Sequence, residues 1–200
     1  MATQIHSDLN YFTTVVNSAP LYRGKLNGLM FSKDKVFGVT LAGSAPYNYA
    51  DSMEIFFPFD KADTGFVSSN SYCTLVRGAV TGSTGNNASF AHILKAGYYI
   101  VTADFYISGV SSASDCFRHD IGVYNSANVG ASYRKYHYRN TVRRWNDGNA
   151  VGTCYTVIGH FDASDYICMK TSYSENATAF SIDASSFLHI IPYSFDSRIG

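Results

Sequence analysis

The sequence predicts an all-β protein, an antiparallel sandwich of jelly-roll type with an N-terminal arm or short-strand extension. Three observations carry that expectation. Helical periodicity is almost absent along the 200 residues. Runs rich in Val, Ile, Thr, Tyr and Phe alternate with Gly, Ser, Asn and Asp clusters, the punctuation of strands and turns. The composition is 16% aromatic and only 15% charged, against roughly 25% charged in an ordinary soluble domain.

The expected strands, in order, are Lys35–Leu41, Met53–Phe57, Tyr72–Val76, Tyr98–Ser108, Ile121–Tyr124, Tyr133–Arg139, Val151–Phe161, Tyr166–Tyr173 and Phe187–Tyr193. Each is an apolar or β-branched run bounded by turn residues. Residues 81–87 and 109–115 are small, polar and glycine-containing, so they read as loops, and Asp147-Gly148 marks a hairpin turn. About nine strands in one unit suggest a sandwich or jelly roll. The division expected is an extension over residues 1–50 and a jelly-roll domain over 51–200. The extension is broken by Asn17-Ser18-Ala19-Pro20 and Ala42-Gly43-Ser44-Ala45-Pro46 but keeps an apolar group, Leu9, Tyr11, Phe12, Val15 and Val16. That group reads as an arm that docks on another surface or on the chain's own domain.

Composition excludes several classes. A zero formal net charge leaves no positive excess to neutralise phosphates, so no nucleic-acid partner is expected. The apolar content argues against intrinsic disorder. No run approaches the ~20 apolar residues of a membrane span, and the polar start Met1–Asp8 does not read as an export signal. The four cysteines, 73, 116, 154 and 168, form no CxxC pair and read as reduced, buried thiols. The six histidines show no metal-ligand spacing, and no nucleophile elbow, P-loop or dinucleotide fingerprint is present. No enzyme activity, metal or cofactor is expected.

The strand faces are more informative. In an antiparallel sheet with one wet face, apolar and polar residues alternate. In Tyr98–Ile107 one face carries Tyr99, Val101, Ala103, Phe105 and Ile107, a core face. The opposite face carries Tyr98, Ile100, Thr102, Asp104 and Tyr106, too apolar for open water. In the strand from Tyr166, Ile167, Met169 and Thr171 lie on one side and Tyr166, Cys168 and Lys170 on the other, and in the last strand Phe187, Ile191 and Tyr193 alternate with Leu188 and Ile190. With no amphipathic helix to cover such faces, other copies of the chain are the simplest cover. The alternative is a thick two-sheet core with the faces slipped by one residue.

Between about Asn86 and Ser194 three motifs follow in order: Phe90 followed by Ala96-Gly97-Tyr98-Tyr99, Cys154–Phe161 with the turn Asp162-Ala163-Ser164-Asp165 and the strand from Tyr166, and the final strand Ser185–Ile191. In these motifs the stretch resembles the tumour-necrosis-factor and complement-globular-head jelly rolls. The chain departs from that family at Ser164-Asp165, where Gly-Asp is usual, and at His189, where glycine is frequent. The resemblance implies a homotrimer. Its axis would be lined at Tyr98, Ile100, Tyr166, Leu188 and Ile190, and Tyr106 joins them by its position on the same strand face as Tyr98.

One further patch stands out. Arg134, Lys135, Tyr136, Tyr138, Arg139, Arg143, Arg144 and Trp145 interleave cations with aromatics. Such a patch suits a host-surface glycan or an acidic protein surface, or else is a solvated hairpin whose arginines pair with nearby carboxylates. Together these features point to a non-enzymatic virion structural protein, a trimeric decoration or cement protein of a bacteriophage capsid. Its partners would be its own copies, capsid or other virion proteins, and a host glycan. The alternatives are a fibre head or receptor-binding module, and a secreted trimeric ligand-like domain.

Overall fold

The computed structural model describes residues 36–47, 54–79, 87–108, 116–127, 134–143, 150–173 and 180–195. The arm residues Leu9, Tyr11, Phe12, Val15 and Val16 lie outside the described residues, as do Arg144 and Trp145. Thirteen strands and no helix are found among the described residues. In chain order they are β1 (Phe37–Thr40), β2 (Ala45–Tyr47), β3 (Glu54–Phe56), β4 (Lys61–Ala62), β5 (Cys73–Ala79), β6 (Asn87–Ile93) and β7 (Gly97–Ser108), then β8 (Cys116–Tyr124), β9 (Arg134–Arg143), β10 (Ala150–Phe161), β11 (Tyr166–Tyr173), β12 (Phe180–Ile182) and β13 (Phe187–Phe195).

The strands form two antiparallel sheets. The first runs β2-β12-β7-β13-β1-β4, with β10 on the opposite edge of β7. β12 and β13 lie end to end along one edge of β7, because β13 pairs with Gly97 through Asp104 and β12 with its last two residues. The second sheet runs β5-β6-β11-β8-β9, and β3 pairs with β11 beyond the end of β6. This is an all-β jelly-roll sandwich, as expected. The head, however, begins before residue 51. β1 pairs with β13 from Phe37↔Ile190 to Thr40↔Phe187, and Phe37 and Val39 are fully buried. The boundary at residue 50 is therefore too late, because the apolar run from Val36 to Leu41 is needed to extend the first sheet past β13.

The core lies between the sheets. β7 supplies Tyr99, Val101, Ala103, Phe105 and Ile107, all fully buried, the face the alternation predicts. β8 answers with Phe117, Ile121 and Val123, and β11 with Ile167 and Met169. A second apolar cluster sits on the outer side of the second sheet: Phe56, Ala88, Phe90, Tyr124 and Cys168. Its rings meet at about right angles, Phe90 against Tyr124 at 6.1 Å and against Tyr166 at 6.3 Å, the edge-to-face arrangement aromatic quadrupoles prefer. Gly122 makes room for it, since a Cβ there would stand 2.7 Å from the Tyr124 ring.

Beside this cluster runs an ion ladder across four strands. Lys170, 1% exposed, reaches Glu54 at 2.5 Å and Asp120 at 3.7 Å. Arg139 holds Asp120 through both carboxylate oxygens, at 3.0 and 3.3 Å. The outer face of the second sheet is thus sheltered by its own chain at Cys168 and Lys170. Sister subunits are not needed there.

The turn between β10 and β11 places Ser164 in a conformation that favours glycine. Ser164 has φ 77°, the left-handed region in which glycine is unstrained and other residues are not. Its N–H donates to the Ile93 carbonyl at 2.8 Å, and the Asp165 carbonyl accepts from the Ile93 N–H at 2.8 Å, so docking on β6 holds the turn in place. Ser164→Gly is expected to raise stability by about 0.5–1 kcal/mol, read as a higher midpoint in urea unfolding with an unchanged slope.

Candidate self-association face

The outward face of the first sheet is built by three adjacent strands whose register aligns their side chains in rows. Tyr98 on β7 stands opposite His160 on β10, their rings edge to face at 5.1 Å. Ile100 stands between Ile158 on β10 and Ile191 on β13, an isoleucine row across the sheet. Thr102 stands between Thr156 and His189, its hydroxyl 3.0 Å from that of Thr156. Asp104 stands between Cys154 and Phe187. Tyr106 closes the face over Gly152. Side chains directly opposite on neighbouring strands share a face, so all of these point away from the core.

Large apolar groups are left open here. Ile158 is 67% exposed, Tyr98 49%, Tyr106 39% and Tyr193, at the bulge between Pro192 and Ser194, 74%. The outward positions of β7 and β10 and the row residues of β13 carry one carboxylate, Asp104, and no lysine or arginine. Burial raises the Asp104 pKa above its ordinary value. Aromatic enrichment with depletion of lysine and glutamate is the composition of an interface centre. Isolated exposed leucines or tyrosines are unremarkable on a monomer, but a continuous row is not.

One flank of the face is closed by the chain itself. The segment after β4 folds back beside β1, where the Gly38 N–H donates to the Val67 carbonyl at 3.0 Å. Phe66 then stacks on His189 at 4.0 Å, and Phe187 stacks on the same imidazole at 4.2 Å. His189 Nε2 lies 2.7 Å from Asp63 Oδ2. Burial pulls the His189 pKa down, and the Asp63 carboxylate pulls it partly back. Gly38 lies directly opposite His189, and a Cβ on it would come within 2.6 Å of the Phe66 ring. Gly38 thus leaves the room that the aromatic stack on His189 occupies.

Several sequence-derived positions need correction. Leu188 and Ile190, expected on the trimer axis, are fully buried within the single chain. Their partners on β7 are Ala103 and Val101, so they share the core face. β13 is apolar on both sides, and hydropathy alone could not tell its inner from its outer parity. Tyr166 belongs to the second sheet. It stacks on His92 at 4.3 Å and packs against Phe90 on that sheet's outer side, the far side of the sandwich from Tyr98. Tyr98, Ile100 and Tyr106 do share one outward face. Ile158, Ile191 and Tyr193 complete it and were missed, although the same both-faces-apolar signal runs through β10 and β13. Cys154 also lies outward and exposed, unlike the buried Cys73 and Cys168.

The cation–aromatic patch is dismantled by strand geometry. Successive residues of β9 point to opposite faces, and Tyr136 and Tyr138 pack toward the core. The Tyr136 hydroxyl donates to the His160 carbonyl at 3.2 Å, and burial pushes its pKa up to about 12. Lys135 points outward to Asp162 at 2.8 Å and Asp165 at 2.7 Å. Burial opposes its charge, yet these carboxylates hold the ammonium above the usual lysine range. Arg139 is taken by Asp120. Within Lys135, Tyr136, Tyr138 and Arg139 the tyrosines and cations lie on opposite faces, so these four do not form a stacking platform, and the paired-hairpin alternative describes them. Arg134 and Arg143 belong to β9. Among the described residues no three His, Cys, Asp or Glu side chains gather as a metal site.

No family model matches the chain, and no curated protein matches it in sequence. Solved structures match it in shape. Eiger TNF from S. frugiperda superposes with a TM-score of 0.50 at 9% identity, over 83% of this chain and 98% of that one. Murine APRIL matches at 0.46 with 12% identity, over 78% of this chain and 97% of its own. At such identity the likeness establishes the fold: the chain is a tumour-necrosis-factor-like jelly roll.

Proposed function

We propose that the chain is a non-catalytic binding head that assembles with copies of itself, as a homotrimer, through the outward face of β7, β10 and β13. The observation that carries this reading is the apolar row Ile158–Ile100–Ile191 with Tyr98, Tyr106 and Tyr193 around it, open on a sheet whose other side is the core. Each well-buried aromatic removes ~150–250 Å² from water, and a stable interface needs roughly 800 Å² per partner. Three partly exposed tyrosines and three isoleucines supply part of that area. The trimeric number rests on the resemblance in fold.

The setting we favour is a virion surface, as a capsid decoration protein or a fibre head. Few charges, abundant Tyr, Ser, Gly and Asn, and a loosely patterned stretch ahead of β1 support it. A secreted ligand-like head is the second reading, favoured by the fold shared with Eiger TNF. Sedimentation equilibrium tests the common core of both. Wild-type chain is expected at three times its monomer mass. Ile158→Asp and Tyr98→Asp should give folded monomers, with far-ultraviolet circular dichroism unchanged. A wild-type monomer, or variants that remain trimeric, would overturn the assignment of this face. Particle fractions probed for the chain by mass spectrometry separate the two settings.

A further inference from the structure

The middle of the sandwich contains a histidine with nothing to hold. His119 on β8 is fully buried, and neither ring nitrogen has a hydrogen-bond partner. Its imidazole lies flat on Phe105 of β7, centroids 4.7 Å apart and planes at 12°, with Phe117 at 6.1 Å on its own strand. Its cross-strand neighbour is Thr171 of β11, whose hydroxyl is likewise buried and unpartnered.

Among the described residues, no charged side chain shares its face. Tyr155 of β10 is the titratable group facing this region, but its hydroxyl is occupied by backbone: it accepts from the Ile121 N–H at 2.9 Å and faces the His119 and Tyr138 carbonyls at 3.2 and 3.1 Å. Burial raises the Tyr155 pKa well above the ordinary phenol range, so it stays neutral. From β9 the described inward groups are Tyr136 and Tyr138, and from β12 it is Phe180. Asp120 follows His119 on the same strand but points to the opposite face, held by Arg139 and Lys170.

We propose that His119 is a proton-operated weak point of the sandwich: mild acid favours states in which the two sheets have parted and the imidazole is wet and charged. As placed, neither ring nitrogen has a hydrogen-bond partner, and among the described residues no carboxylate shares its face, so a charge between Phe105 and Phe117 is poorly compensated, whereas in the opened chain it is hydrated. Burial pulls the His119 pKa down from 6.5 to about 4, with Asp120 opposing weakly. Above pH 6.5 the histidine is neutral folded or unfolded and costs nothing through protonation. Between pH 6.5 and about 4 the unfolded chain binds a proton that the folded chain refuses, so stability falls with pH through that window. The unfolding constant gains up to tenfold per pH unit, on the order of 100-fold or more across the window.

The test compares urea unfolding of the wild type with His119→Phe at pH 7.5 and pH 5.0. Other titrating groups, among them His92 and His189, are present in both proteins and cancel. The ratio of the wild-type to the variant unfolding constant should rise about thirtyfold between the two pH values. A ratio that stays constant overturns the proposal. If phenylalanine packs badly, His119→Gln, which does not titrate, serves the same comparison. The native protein supplies an independent reading by NMR of its imidazole protons. A His119 signal unmoved down to pH 5 supports the proposal, and one that titrates near 6.5 refutes it.

Discussion

Replacing Lys170 with methionine is expected to destabilise the head by about 3–5 kcal/mol, the cost of removing one partner from a buried ion network. The methionine keeps most of the stem's volume, so packing beside Cys168 is largely preserved and the loss is electrostatic. Lys170 bridges Glu54 and Asp120, and Asp120 is itself almost fully buried. Without the ammonium, Asp120 retains Arg139, while the half-open Glu54 returns to water. Two comparisons isolate the cause. Lys170→Met combined with Asp120→Asn should recover part of the loss, since the orphaned charge is gone. Glu54→Gln alone should cost about 1 kcal/mol or less, because that carboxylate is already partly solvated. At roughly 2–4 °C per kcal/mol for a chain of this size, the single variant should melt about 10 °C lower. A shift of one or two degrees would show the ladder to be ornamental.

How far these features could be read from the residues depended on whether one strand or a pairing decided them. The nine strands expected from apolar runs are all present, because each holds enough consecutive β-branched and aromatic residues to mark itself. β2, β4 and β12 have two or three residues each and leave no pattern. β6, Asn87–Ile93, is long enough but buries both faces: Ala91 and Ile93 in the main core, Ala88 and Phe90 in the second cluster. Small residues on two dry faces look like a loop. The inner face of β7 was legible, since Tyr99 through Ile107 alternate with residues that include Thr102 and Asp104. The parity of β13 was not, because Phe187 and Ile191 outside are as apolar as Leu188 and Ile190 inside. Only its pairing with β7 settles the matter. The shelter of the second sheet by its own chain was also illegible, since it requires β3, β6, β8 and β11 to converge from four regions of the sequence. Alternation along β9 was the signal that could have dissolved the cation–aromatic patch.

Adjacent aromatics on β7 are expected to respond in opposite ways to the same truncation. Phe105→Ala should cost about 3–5 kcal/mol, the range for emptying a large buried ring site. Phe105 is fully buried and joins the two sheets, meeting Phe57 edge to face at 5.2 Å, His119 at 4.7 Å and Tyr155 at 5.6 Å. The vacated space cannot collapse easily, because β7 is hydrogen-bonded on both edges. Tyr106, one residue on, points outward at 39% exposure, so Tyr106→Ala should leave monomer stability within about 1 kcal/mol while weakening self-association. The two readouts are independent: urea unfolding at a concentration where the chain is monomeric, and sedimentation at one where it assembles. Loss of fold at Tyr106 would mean that this tyrosine serves the monomer's own packing. Unchanged assembly would remove it from the interface and leave the isoleucine row to carry the association. A small effect at Phe105 would contradict the inward parity of β7, and with it the outward placement of Tyr98, Ile100 and Ile158 on which the proposed assembly depends.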